Sequence, residues 1–114
     1  MGKKDTIIYL ILGIIIISII LIILSLKGNE NTPKALAKCI GENSELYVQL
    51  GCGACEVQEK MFGENYQYLN TIDCAYERQK CLDKEITGTP TWIIKEEKYK
   101  GIQTIEELKE LTGC

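Results

Sequence analysis

From Ile7 to Leu26 the chain carries no charged side chain, and little that is polar beyond Tyr9, Ser18 and Ser25. A helix needs about 20 such residues to cross the hydrocarbon core of a bilayer. Isoleucine-rich runs also suit buried strands in water, but no strand is this long, and lipid tolerates β-branched helices. A cleavable leader is the competing reading. Its apolar region is usually about 7–15 residues long and ends at a small-residue cleavage site. Ser25-Leu26-Lys27 offers no such site, so an uncleaved transmembrane anchor is predicted over residues 7–26. Lys3 and Lys4 precede it, and Lys27 and Lys34 lie beyond it. The amino terminus tips this even balance towards cytoplasmic residues 1–6 and an exported remainder.

Residues 27–32 read as a short polar linker. Its stretch from Gly28 to Thr32 reaches only about 17 Å when fully extended, which keeps the C-terminal portion of the chain close to the membrane surface. Residues 33–114 then form one small domain, of a size that often needs disulfide staples. All six cysteines lie beyond the anchor, which suits an oxidising, extracytoplasmic compartment. The net charge of −3 gives no basic footprint for nucleic acid. There is no histidine, which removes Cys-His and Ser-His nucleophile pairs and every histidine-containing metal site.

Within the domain, Thr32-Pro33 reads as a cap and first residue of a helix over Lys34 to Ile40, stopped by Gly41. A strand is predicted over Glu45 to Leu50, and a helix over Cys52 to Phe62 ended by Gly63. Tyr66 to Asp73 reads as a second strand from the alternation of Tyr66, Tyr68 and Ile72. Cys74 to Ile86 is polar, with a helical turn or more. Thr91 to Ile94 is a β-branched strand, and Glu96-Glu97 is a hairpin turn leading to Tyr99. Thr104 and Glu107 make a capping box for a last helix with Ile105, Leu108 and Leu111 facing inward, closed by Gly113. The order is α-β-α-β-α-β-β-α.

Cys52-Gly53-Ala54-Cys55 stands where the first strand gives way to a helix. Unpaired N–H groups and the partial positive charge of a helix N-terminus favour a thiolate there. Cys55, one turn further in, can resolve a mixed disulfide formed at Cys52. A structural bridge or half a zinc knuckle is the plainer alternative. A zinc site needs two more ligands at matching spacing, and a bridge across two residues closes too short a loop to gain much entropy. No metal is expected. No bound cofactor is expected either, because paired cysteines carry the electrons themselves. Thr89-Pro90 is a candidate cis step beside the CxxC, its backbone open to pair with an extended substrate whatever its side chains. An ordinary trans-proline entering a strand is the alternative, and Trp92 reads as core. Cys74 and Cys81 read as a structural disulfide, with a second redox pair as the other possibility. Cys39 and Cys114 are left to bridge each other, or to link two chains.

The CxxC that opens a helix, the Thr-Pro before the third strand, and the closing hairpin and helix together resemble the thioredoxin-like fold over Pro33 to Cys114. The run Tyr47…Cys52-x-x-Cys55…Gln58…Met61-Phe62-Gly63, then Asp73-Cys74, Cys81, Pro90-Thr91-Trp92-Ile93-Ile94 and Tyr99-x-Gly101, resembles a narrower group. That group is the thioredoxin-like domain associated with bacterial and archaeal vitamin K epoxide reductase homologues. Gly51 stands where that group commonly has an aromatic residue, and Gly53-Ala54 where many members have Pro-His. The resemblance implies an α/β domain with a central mixed sheet of about four strands flanked by helices, here preceded by one transmembrane helix. It implies a DsbA-like protein disulfide oxidoreductase exchanging disulfides with protein thiols and with a quinone-linked membrane oxidase of that reductase type. The non-enzymatic alternative is a disulfide-stapled binding module on the same scaffold.

Overall fold

The computed structural model describes residues 2–26 and 32–114. Helix α1 runs Lys3–Leu26 and is long and apolar enough to cross a membrane. Its polar interruption is met internally, Ser18 Oγ donating to the Ile14 carbonyl at 2.8 Å, so the hydroxyl needs no partner in lipid. Of the linker expected over residues 27–32, only Thr32 lies within the described residues.

Beyond it, four strands form one mixed sheet: β1 Glu45–Val48, β2 Thr71–Asp73, β3 Thr91–Ile94 and β4 Glu97–Lys100. Their order is β2-β1-β3-β4. Strands β1 and β2 are parallel, with Tyr47 opposite Ile72. Strand β1 is antiparallel to β3, with Leu46 opposite Trp92, and β3 and β4 form a hairpin. Helices α2 (Lys34–Glu42), α3 (Gly53–Phe62), α4 (Arg78–Asp83) and α5 (Ile105–Thr112) complete the domain. A mixed four-stranded sheet flanked by helices is the α/β architecture expected from the sequence.

Strand alternation distributes the core over both faces of the sheet. Leu46, Trp92 and Ile94 join Ile40, Phe62 and Leu108 in the larger cluster, where the Phe62 and Trp92 rings lie 6.2 Å apart. Tyr47 and Ile72 join Cys81 in the smaller one. The Tyr47 hydroxyl donates to Glu45 Oε2 at 2.6 Å. Burial, that bond, and the charges of Glu45 and Glu77 all raise its pKa. Tyr66 is pushed up to about 12 by burial and by the charges of Glu59 and Asp73. The capping box of α5 is present in both directions, and Gly113 closes the helix in the left-handed region.

Four local expectations give way to tertiary demands. Pro33, not Thr32, occupies the cap position of α2, because the Thr32 hydroxyl is drawn across the domain to the Met61 carbonyl. Gly41 does not stop that helix but lies within it, buried. A Cβ there would overlap the Tyr68 carbonyl oxygen and stand 3.0 Å from Leu69 Cα. The stop falls at Asn43, whose side-chain amide donates to the Cys39 carbonyl. The strand expected over Tyr66 to Asp73 is a 3-10 turn (Gly63–Tyr68) followed by only three strand residues. Its alternating tyrosines pack instead along the edge of the larger core. The hairpin turn falls at Lys95 and Glu96, both in the left-handed region, one residue earlier than expected.

Disulfides join Cys39 to Cys114 and Cys74 to Cys81. Replacing both Cys39 and Cys114 by serine is expected to lower stability by roughly 2–4 kcal/mol, because a long closed loop restricts the unfolded chain. In a free helix Gly41→Ala would gain about 1 kcal/mol. Here it is expected to cost about 2–3 kcal/mol, since the helix must back away from Tyr68. Urea unfolding of the chain in detergent micelles checks both, and an unchanged midpoint would contradict either. Raised tyrosine pKa values contribute stability that is complete below about pH 10 and is lost as pH rises towards the folded-state values. Tyr47→Phe is therefore expected to flatten the decline in stability above about pH 10, which alkaline urea titrations would measure.

Candidate functional site

Strand β1 ends at Val48, and the chain turns through Gln49, Leu50 and Gly51 to deliver Cys52 to the head of α3. Two features shape that turn. Gly51 has φ +84°, a conformation that disfavours an aromatic side chain at this position. The Asp73 carboxylate accepts from the N–H of Leu50 at 3.3 Å and from that of Ala75 at 2.8 Å. It thereby ties the approach to Cys52 to the end of β2.

Cys52 is the N-cap of α3, a position usually held by an oxygen-bearing side chain. Its sulfur accepts the Cys55 N–H at 3.1 Å, and its carbonyl accepts the Glu56 N–H at 3.2 Å. Cys52 and Cys55 are joined as a disulfide. They differ in access: Cys52 is half-buried and Cys55 only 7% exposed. Of the two, Cys52 is the more accessible to solvent. The orphan N–H groups of the helix then favour a negative sulfur at Cys52 when the bond opens.

The Thr89-Pro90 peptide bond is cis. Pro90 is buried and Thr89 half-buried, and the Thr89 carbonyl oxygen lies 3.5 Å from Cys52 Sγ. As a disulfide sulfur, Cys52 has no proton to share; as a thiol it would donate to this carbonyl. Two neighbours thus pull on the reduced sulfur, the carbonyl favouring the thiol and the Cys55 N–H the thiolate. Thr91 Oγ1 donates to the Gly88 carbonyl at 2.6 Å, and the Gly101 N–H donates to the Pro90 carbonyl at 2.8 Å. The backbone around Thr89 is therefore held from both sides.

Cys74 and Cys81 are joined beside this centre and not in it. Cys74 ends β2 through its N–H bond to the Val48 carbonyl at 2.8 Å, and Cys81 is buried in the smaller core. A groove of about 390 Å³ runs alongside, lined among others by Gln49, Cys74, Arg78, Leu82, Ile86 and Thr89. Cys39 and Cys114 pin α2 to the chain segment after α5, packed against the larger core. Among the described residues no three of His, Cys, Asp and Glu gather as a metal site.

Sequence reasoning singled out Cys52, Cys55, Thr89 and Pro90, and the structure brings these four together. Gln58 and Asp73 stand in the sequence only as letters of the resembling run, and the structure gives each a contact that no local motif announces. Gln58 is entirely buried and one turn beyond Cys55, bonded to Trp92 and Gln103. The available signal was its place in the inward stripe Cys55, Gln58, Phe62 of α3, where helical spacing puts a polar residue on an apolar face.

No protein-family model matches the chain. It is 35% identical over 98 residues to the thiol-disulfide oxidoreductase LTO1 of Arabidopsis thaliana, a match covering 75% of this chain and 26% of that protein. The chain thus spans about a quarter of the length of the curated relative it matches. Among solved structures it is similar to the NTD_N/C domain of alkylhydroperoxide reductase AhpF from Enterococcus faecalis. That match has 20% identity and a TM-score of 0.44, and covers 75% of this chain and 46% of that one.

Proposed function

We propose that the chain is a membrane-tethered thiol–disulfide oxidoreductase acting on cysteine-bearing proteins through Cys52 and Cys55. One observation carries this reading: a half-exposed sulfur caps a helix, accepts its N–H, and faces the carbonyl of a cis Thr-Pro step. The similarity to a thiol-disulfide oxidoreductase supports it.

In the oxidising direction a substrate thiolate attacks Cys52 Sγ. A substrate–Cys52 disulfide forms, the Cys52–Cys55 bond breaks, and the electron pair leaves on Cys55, where a proton from solvent neutralises it. The second substrate thiolate then attacks the substrate's own sulfur in the mixed disulfide and releases Cys52 as thiolate, stabilised by the head of α3. Two electrons have passed from substrate to protein. The reducing direction is the same sequence reversed, with Cys52 as attacker and Cys55 as resolver. The Thr89 backbone pairs with the substrate strand on either side of its cysteine.

Repeated turnover requires a partner that resets the pair. The family resemblance points to a quinone-linked membrane oxidase of the vitamin K epoxide reductase type. In this reading residues 7–26 hold the chain in the membrane with its N-terminus in the cytoplasm, and the domain works outside it. A short tether favours lateral encounter with such an integral partner.

The test uses the oxidised chain in detergent and a reduced peptide bearing two cysteines. The unmodified chain is expected to transfer its disulfide to the peptide. Cys52→Ser should abolish transfer. Cys55→Ser, given the same peptide in its disulfide form, should open that bond through the Cys52 thiolate and accumulate a covalent peptide adduct on Cys52, the second peptide cysteine leaving as the thiol, seen by non-reducing electrophoresis and mass mapping. Transfer at the unmodified rate by Cys52→Ser would overturn the assignment. After mild reduction, Cys52 should alkylate well below about pH 8.5, where an ordinary thiol ionises; alkylation only above that pH would count against helix-assisted ionisation.

A further inference from the structure

Gln58 is the one fully buried side chain on α3 that is not apolar. Its Oε1 accepts the indole N–H of Trp92 at 3.1 Å and the backbone N–H of Gln103 at 2.8 Å. Its Nε2 donates to the Gln103 carbonyl at 3.0 Å and lies 3.5 Å from Met61 Sδ. The two groups facing Oε1 are obligate donors and the Gln103 carbonyl is an obligate acceptor, so only one orientation of the amide satisfies them all.

Those partners belong to the segments that surround Cys52. Gln58 rides on the helix that Cys52 caps. Trp92 lies two residues beyond Pro90, on β3. Gln103 ends a short loop whose Gly101 N–H is bonded to the Pro90 carbonyl. An apolar side chain in the same space would let these segments slide by fractions of an ångström at little cost. Hydrogen bonds weaken steeply outside a narrow range of length and angle, and in a dry interior each broken one leaves an unsatisfied group.

We infer that Gln58 is a positioning residue for thiol exchange: its amide fixes α3 against β3 and the Gly101–Gln103 loop, and so holds Cys52 Sγ beside the Thr89 carbonyl. This role rests on the oxidoreductase activity proposed for Cys52 and Cys55. Exchange needs the attacking, central and leaving sulfurs in line, and misplacement by about 1 Å can cost orders of magnitude in rate. A residue that sets this spacing therefore acts on the chemistry without touching it.

Gln58→Glu tests this because one variant supplies both states. Its ionised carboxylate keeps both acceptor bonds but repels the Gln103 carbonyl. Its protonated form can donate to that carbonyl and restore the pattern, and burial raises the pH at which such a carboxyl ionises. The readout is the rate of disulfide transfer to the two-cysteine peptide, taken as the ratio of variant to unmodified chain across pH, with near-UV circular dichroism recorded alongside. The ratio is expected to fall about tenfold near pH 8 and to recover to within about twofold near pH 5. A role confined to holding the core would lower the unfolding midpoint but leave the ratio near one at every pH, and that result overturns the inference.

If Gln58→Glu loses its fold near pH 8, Trp92→Phe decides instead. It deletes one donor to the amide and leaves the bonds to Gln103. A loss of about threefold or more in transfer by the folded variant is expected, and an unchanged rate overturns the inference. The unmodified chain is measured first. Failure to transfer at that stage overturns the proposed function itself, which separates the two outcomes.

Discussion

A backbone N–H pointing at a sulfur organises the working end of this molecule. Helix α3 begins with donors that have no partner within the helix, and Cys52 meets one of them through its side chain. An oxygen cap would satisfy the same donor and do nothing more. A sulfur cap makes the helix dipole a stabiliser of whatever negative charge the sulfur acquires. The rest of the domain supports that single placement. Gly51 permits the turn into it, Asp73 anchors the turn, and the buried rings of Phe62 and Trp92 pack helix α3 against strand β3 in the larger core.

The two faces of the sheet contribute differently. The larger core packs α2, α3 and α5 against one face and contains no charged group. The smaller core rests on Tyr47, Ile72 and Cys81, and it uses a disulfide where a larger domain would use more side chains. The covalent link lies next to the groove that reaches Thr89. Local rigidity is thus concentrated where a small hydrophobic cluster could least provide it, at the wall of the site.

How much of the fold and the site is legible in the sequence depends on how far each interaction reaches. Thr104 and Glu107 bond each other's backbones within one turn, so the start of α5 reads directly from two letters. The CxxC and the Thr-Pro step are equally local, and the four residues they contribute to the site are visible as motifs. The role of Gly41 is not local, because it is imposed by the Tyr68 backbone lying against α2. Thr32 reads as a cap until the Met61 carbonyl takes its hydroxyl. Tyr66 and Tyr68 alternate like strand residues, yet the 3-10 turn that carries them is held partly by Asn65 reaching the Thr32 carbonyl. The roles of Gln58 and Asp73 are hidden for the same reason. Each is an ordinary polar letter whose importance comes from partners distant in the chain.

The link between Cys39 and Cys114 carries a consequence for durability. It encloses both strands of every pairing in the sheet, and the CxxC with them, inside one covalent ring. A protease that cuts a single exposed turn within the ring, such as Lys95-Glu96, would open a gap without releasing a fragment. The severed halves would remain tied to each other at one end and could re-dock at high effective concentration. Proteases would therefore have to cut the backbone twice, or act together with a reductant of this bond, before any piece of the ring could drift away.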